Sequence, residues 1–146
     1  MAVVTSIYDV AKADALGAGL NWTTATVNCA LFSASTFTHA DTAYTTSGTE
    51  VANGLGYTTG GVAVGTRTIT GTTTALCKIT GNGGGGAAGT TTWTSSGAGF
   101  SAVAAKLYIA SGHPIAHIDF GGTQTASGGG TFTITWDASS GVFNLA

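Results

Sequence analysis

The stretch "TFTITWD", Thr131 to Asp137, sets Phe132, Ile134 and Trp136 on one side of an extended chain and Thr131, Thr133 and Thr135 on the other. Successive side chains of a strand point to opposite faces, so this is the pattern of an antiparallel strand with one buried face. The same period runs through "TVNCALF", where Val27, Cys29 and Leu31 share a face, and through "VAAKLYIA", where Val103, Ala105, Leu107 and Ile109 do. "PIAHIDFGG", "VAVGTRTIT" and "TTALCKIT" supply further strands, and turns rich in Gly, Ser and Thr separate them. Short strands spaced in this way predict a mainly β fold, a compact antiparallel β-sandwich with barrel-like character.

The first segment departs from that period. Ser6 followed by Asp9 resembles a capping box, and Ile7, Val10, Ala11 and Ala15 recur at helical spacing, which predicts a short N-terminal helix within residues 1–19. Gly17 and Gly19 supply its stop. The stretch Gly81–Thr92, "GNGGGGAAGTTT", reads as a low-complexity loop, either mobile or clamped by a neighbouring subunit, because glycine loses the most conformational freedom on ordering. No internal repeat or long linker divides the chain. At 146 residues it is expected to form one domain, residues 1–146, able to bury about 68–70% of its unfolded surface.

Charge narrows the function. Only 7% of residues are charged, against about 25% in a typical soluble domain, and none lies between Thr80 and Ala105. A monomer so poor in charge is weakly protected against self-association, so the composition favours a subunit covered by neighbours. The basic residues Lys12, Arg67, Lys78 and Lys106 are scattered and the net charge is −2, which gives no footprint for nucleic acid. No apolar run approaches the ~20 residues of a spanning helix. Met1–Gly17 carries Asp9, Lys12 and Asp14 where a signal peptide needs its apolar stretch, so no membrane or secretory role is expected. With no secretory signal, Cys29 and Cys77 read as buried free thiols.

Three constellations invite chemistry. "EVANGLGYTTGGVAV" (50–64) gathers Glu50, Tyr57 and Gly54, Gly56, Gly60 and Gly61. Its glycines miss the G-x-G-x-x-G spacing, and a β-type run follows rather than a helix, so a tight corner with glycines at positive φ fits better than a phosphate cradle. "HPIAHID" sets His117 and Asp119 on one strand face with His113 nearby and His39 and Asp41 elsewhere, donor types that suit a metal but equally a solvated strand edge. There is no nucleophile elbow, neither cysteine has a neighbouring histidine, and the spacing of Asp41, Glu50, Asp119 and Asp137 marks no glycosidase pair. No enzyme, metal or cofactor is expected. Trp22, Trp93, Tyr44 and Tyr57 would suit a sugar-binding surface if exposed, while Trp93 and Trp136 fit a core.

Taken in order, these segments resemble a family of small structural proteins of tailed bacteriophages. The resemblance runs from "LNW" (Leu20–Trp22) through "VNCALFSAS" and "THADTAYTT" to "EVANGLGYTTGGVAV". That last segment matches the family's E-V-x-G-x-G-Y-x-x-G-G corner with Asn53 in a longer lead-in. It continues through Trp93, "FSAVAAKLYIA" and "PIAHIDFGG" to the closing "FTITWDASSGVFNLA". The glycine-rich loop, the low charge and His117, where the family favours an aromatic or aliphatic residue, depart from it. The resemblance implies a non-enzymatic virion protein made in the host bacterial cytoplasm. Its implied role is a capsid decoration or cement subunit, with a tail- or fibre-associated adhesin as the alternative. Implied partners are the major capsid protein and copies of itself, as in a trimer. Glu50, Gly54, Gly56, Tyr57, Gly60 and Gly61 would form a structural corner. Met1, Ala2, Val3, Val4, Ile7, Tyr8 and Gly83, Gly84, Gly85 and Gly86 are the expected contact residues.

Overall fold

A computed structural model describes residues 4–17, 19–71 and 75–145. It is mainly β, with antiparallel sheets packed in a sandwich-like arrangement that does not close into a barrel. Among the described residues eleven strands and one helix follow in the order β1 (Val4–Ile7), α1 (Asp9–Leu16), β2 (Val27–Ser35), β3 (Gly48–Glu50), β4 (Val62–Ala63) and β5 (Arg67–Thr70). Then come β6 (Ala75–Ile79), β7 (Thr90–Thr94), β8 (Phe100–Ile109), β9 (Pro114–Ala126), β10 (Thr131–Thr135) and β11 (Phe143–Leu145). The largest sheet runs β1-β9-β8-β2-β3 with β4 also on β2; β10-β7 and β11-β6-β5 form two smaller sheets.

The N-terminal segment differs from its sequence reading. Ser6 and Ile7 are not helical: they lie in β1, opposite His117 and Ala116 of β9. The helix begins at Asp9, and Tyr8 caps it without a side-chain hydrogen bond. The capping-box pattern lost because β1 pairs its backbone across a ladder while the Tyr8 ring drops into the interior. Gly17 ends the helix at φ −91°, donating its N–H to Ala13 O at 2.8 Å, so no left-handed cap is used.

The central strands are buried on both faces. On one face Val27, Cys29 and Leu31 of β2 join Ala105, Leu107 and Ile109 of β8 in the main core, with Trp93, Phe132 and Trp136 opposite. On the other, Ala30, Phe32, Ala104 and Tyr108 form a second cluster beneath the segment after β2, and Val103 packs there. A register irregularity between Ala102 and Ala104 puts Val103 on this second side, not on the Ala105–Leu107 face that plain alternation predicts. The lid over the cluster is held by Tyr44, whose ring stacks on Tyr108 at 3.8 Å between centroids and 7° between planes.

The glycine-rich loop is held by its own chain. Gly83 N–H donates to Thr90 O and Gly83 O accepts from Thr92 N–H, at 2.8 and 3.0 Å. A Cβ on Gly84 would lie 1.8 Å from Thr92 O, and one on Gly86 2.3 Å from Thr92 Oγ1. Here glycine permits close approach to β7, so no neighbour is needed to order the loop. It ends at Gly89, and Thr90–Thr92 belong to the strand.

Candidate functional site

The corner after β3 is built from backbone geometry. Gly54 and Tyr57 exchange N–H···O bonds of 2.8 and 2.9 Å around Leu55 and Gly56, both at positive φ (53° and 91°). That is the two-residue turn whose twist suits a hairpin. The chain then swings so that the buried Tyr57 ring lies 5.9 Å from Phe100. Its hydroxyl accepts from Leu31 N–H at 3.0 Å and donates to Glu50 Oε1 at 2.6 Å. The same carboxylate oxygen accepts the Gly60 amide at 2.5 Å. Tyr108 hydroxyl donates to Gly60 O at 2.7 Å, locking the corner onto β8. Burial, then the Glu50 carboxylate, raises the Tyr57 hydroxyl far above the ordinary phenol range, so it stays a donor.

This arrangement has no place for a phosphate. The amides of Gly54, Tyr57 and Gly61 bond to corner carbonyls, that of Thr59 to Asn53 Oδ1, and that of Gly60 to Glu50. An anion would meet a carboxylate at the centre and no spare donor among these. The corner is a joint between β2, β8 and the end of β7.

The histidines do not converge. His113 Nδ1 lies 2.9 Å from Asp14 Oδ2 of α1, His39 Nδ1 3.9 Å from Asp9 Oδ1, and His117 Nε2 3.0 Å from Ser35 Oγ. Asp119 is exposed and accepts the Gly121 amide at 2.8 Å. Among the described residues no group of three or more His, Cys, Asp or Glu could hold a metal ion. The carboxylates are dispersed likewise: Asp41 accepts from Ser47, Glu50 from Tyr57, and Asp137 from the amides of Ser139 and Ser140. Cys29 and Cys77 are buried and unpaired.

Sequence reasoning missed a buried polar cluster under the segment after β2. Lys106, read as one of four scattered bases, is fully buried; its ammonium donates to Thr46 O at 2.5 Å and lies 4.6 Å from the Phe32 ring centre. Burial lowers its pKa, and Asp41 partly opposes that. Asp41, near enough to act on that charge, has its Oδ2 buried without a hydrogen-bond partner, and the Tyr8 hydroxyl is likewise buried and unpartnered. Burial, then Asp41, raises the Tyr8 hydroxyl. The one sequence signal was that Lys106 shares a strand face with Ala104 and Tyr108, with no charged neighbour two residues away.

The expected contact residues fare unequally. Met1, Ala2 and Val3 lie outside the described residues. Val4 is in β1 opposite Asp119. Ile7 is half-buried against the core, and Tyr8 has no exposed surface, its ring 4.9 Å from Phe37. Tyr8 is therefore core and cannot meet a neighbour unless the domain opens. Gly83 is buried against β7, Gly86 is half-buried, and Gly84 and Gly85 are exposed. Trp22, Trp93 and Tyr57 are all buried and Tyr44 is half-buried on Tyr108, so these rings form no exposed platform for a sugar.

A cleft of about 560 Å³ opens between β9 and β10. Ile118, Phe120, Phe132, Ile134 and Trp136 form its apolar part, and threonines of β10 rim it. Trp136 Nε1 donates to Thr91 Oγ1 at 2.9 Å, which fixes the indole in the wall. Among the described residues no helix is long and apolar enough to cross a membrane. In comparisons with protein-family models, curated proteins and solved structures, nothing matches this chain.

Proposed function

We propose that the protein is a non-enzymatic structural component of a bacteriophage virion, a capsid decoration subunit that binds the outside of the head and cements adjacent capsid subunits. The observation that carries this reading is the ordered run of motifs from Leu20–Trp22 through the Glu50–Gly61 corner to "FTITWDASSGVFNLA", which resembles such proteins along nearly the whole chain. The geometry supports it in two ways. The corner residues are spent on one another and on strands β2 and β8, as in a framework element. The histidines and carboxylates that could have formed a reactive centre are dispersed to separate partners.

The low charge fits the same role. Many identical copies with a net charge of −2 crowd together without strong self-repulsion, and the absence of a basic face suits an exterior position away from packaged DNA. Contacts made by Thr, Ser, Gly and apolar groups would survive high salt, since screening weakens only charge-dominated interfaces.

The test uses particles of the phage that encodes the chain, prepared with and without its gene. Quantitative mass spectrometry should find hundreds of copies per particle. Particles lacking the protein should assemble but release DNA at lower temperature. If they keep normal heat resistance and fail to adsorb to cells, the protein is a tail or fibre adhesin and the cement reading is overturned.

A further inference from the structure

We infer that two copies of this chain join edge to edge through β10, in antiparallel pairing about a two-fold axis at Thr133, to make one continuous β7-β10-β10-β7 sheet. The inference stands apart from the virion role, since it concerns how the purified chain associates with itself.

The edge is open. β10 pairs with β7 on one side only, and β9 stands across the cleft without forming a ladder with it. In an antiparallel pair, a residue turns both its N–H and its C=O either toward the partner or away from it. Trp136 N–H donates to Gly89 O, and Gly130 O accepts from Ser95 N–H, which directs the even-numbered residues toward the β7 side. Thr131, Thr133 and Thr135 therefore turn their backbone groups outward, and all three residues are exposed.

The edge is also unprotected. Folded domains blunt open strands with charge, proline, a bulge or a covering loop. "TFTIT" has no charge or proline, and its five-residue register with β7 is unbroken. Of the other edges, β3 and β11 have three residues each and β4 two, β5 carries Arg67, and the far side of β7 is covered by Gly83; β1, uncharged like β10, offers four residues against five.

The edge complements itself. With Thr133 opposite its own copy, Thr131 meets Thr135, and the outward residues form roughly six inter-chain backbone hydrogen bonds. Phe132 then stands opposite Ile134 of the other copy. Residues directly opposite share a face, so Phe132, packed in its own core, and the half-buried Ile134 stand on the cleft side of the joined sheet. Asp137 falls opposite Gly129, so the flanking carboxylates do not meet. A second copy thus supplies the missing ladder.

The experiment uses the full purified chain in sedimentation analysis from about 1 µM to 1 mM, a range that spans weak to moderate dimers. A monomer–dimer equilibrium is expected. Thr133→Lys, which places two ammonium groups across the axis, should weaken it at least about tenfold, while Thr26→Lys at an exposed site elsewhere should not. Thr133→Cys should cross-link into a disulfide dimer under mild oxidation, because paired Cα atoms at about 5.5 Å fall within disulfide reach. Should Thr133→Lys fail to fold, hydrogen exchange on the unaltered chain decides: the Thr131, Thr133 and Thr135 amides should slow with protein concentration. A chain that stays monomeric throughout, or a dimer indifferent to Thr133→Lys, overturns the inference. So does concentration-independent exchange at the three amides, or an edge that takes up only an extended segment of another protein.

Discussion

Tyr57 donates its hydroxyl to Glu50 Oε1 at 2.6 Å, seven residues back along the chain and across the corner it closes. The same hydroxyl accepts the Leu31 amide and the same carboxylate oxygen accepts the Gly60 amide, so two side chains secure both sides of the turn. Tyr57→Phe strands a buried amide and removes one donor from the carboxylate, which should cost about 1–3 kcal/mol. Thermal unfolding should fall by about 2–4 °C per kcal/mol for a domain of this size. Glu50→Ala should cost more than Glu50→Gln, because glutamine keeps an acceptor for Gly60. Equal losses in the two Glu50 variants would show that the carbonyl geometry is not what holds the corner.

The corner glycines should separate by what surrounds them. A Cβ on Gly61 would lie 1.8 Å from Cys29 O and one on Gly56 2.0 Å from Thr94 O, both at positive φ. At Gly54 a Cβ meets nothing within 4 Å, although φ is +115°. Gly54→Ala should therefore cost only the backbone term, about 1–2 kcal/mol. Gly61→Ala and Gly56→Ala add the displacement of backbone and should cost at least about 2 kcal/mol more. Urea unfolding of the three variants checks the order.

Both thiols should be silent in the folded protein. Cys29 has no exposed surface and Cys77 very little. Burial raises the Cys29 thiol strongly and pushes Cys77 up to about 11, so neither forms the reactive thiolate near neutral pH. A thiol-reactive chromophore at pH 8 should label neither residue in the native chain and both after denaturation. Rapid native labelling would show that the sheet edges around β2 or β6 open locally.

Period-two alternation made the sheets legible because it reports side-chain direction directly, as "TFTITWD" shows. Where a strand is buried on both faces, alternation vanishes, and Lys106 in β8 looked like a surface residue for that reason. The covering segment Thr36–Ser47 has no periodicity to read; Tyr44 on Tyr108 and Thr46 on Lys106 hold it, and such long-range contacts leave no mark in local sequence. The capping-box pattern at Ser6 was a local signal overruled by ladder pairing with His117. The corner was legible because positive φ restricts residue type: Gly54, Gly56, Gly60 and Gly61 all have it. Its hydrogen-bond partners, Leu31 and Tyr108, lie 26 and 48 residues from Tyr57 and Gly60 and could not be read.

The last prediction concerns acid. His117 is buried, with Nε2 3.0 Å from Ser35 Oγ and the Phe37 ring 5.9 Å away. Lys106 lies opposite it on β8 and Ser6 opposite it on β1, and Asp119 follows two residues on. Burial, then Lys106, lowers its pKa below the ordinary 6.5, and Asp119 only partly opposes this. A histidine kept neutral in the fold binds its proton more readily when unfolded. Unfolding therefore gains protons as pH falls below about 6.5, and stability declines from there until the folded-state pKa is passed. Above 6.5 this residue adds no pH dependence. Carboxylates held low in the fold, such as Asp137, lose their contribution in a more acidic window, below about pH 4. Urea unfolding at pH 7.5, 6.5, 5.5 and 4.5 should show the first decline beginning near 6.5. His117→Phe, which removes the titrating group but keeps a ring in the pocket, should flatten stability between pH 6.5 and 5 even if it lowers it overall. A slope in that range that survives in His117→Phe would assign the acid sensitivity to another group.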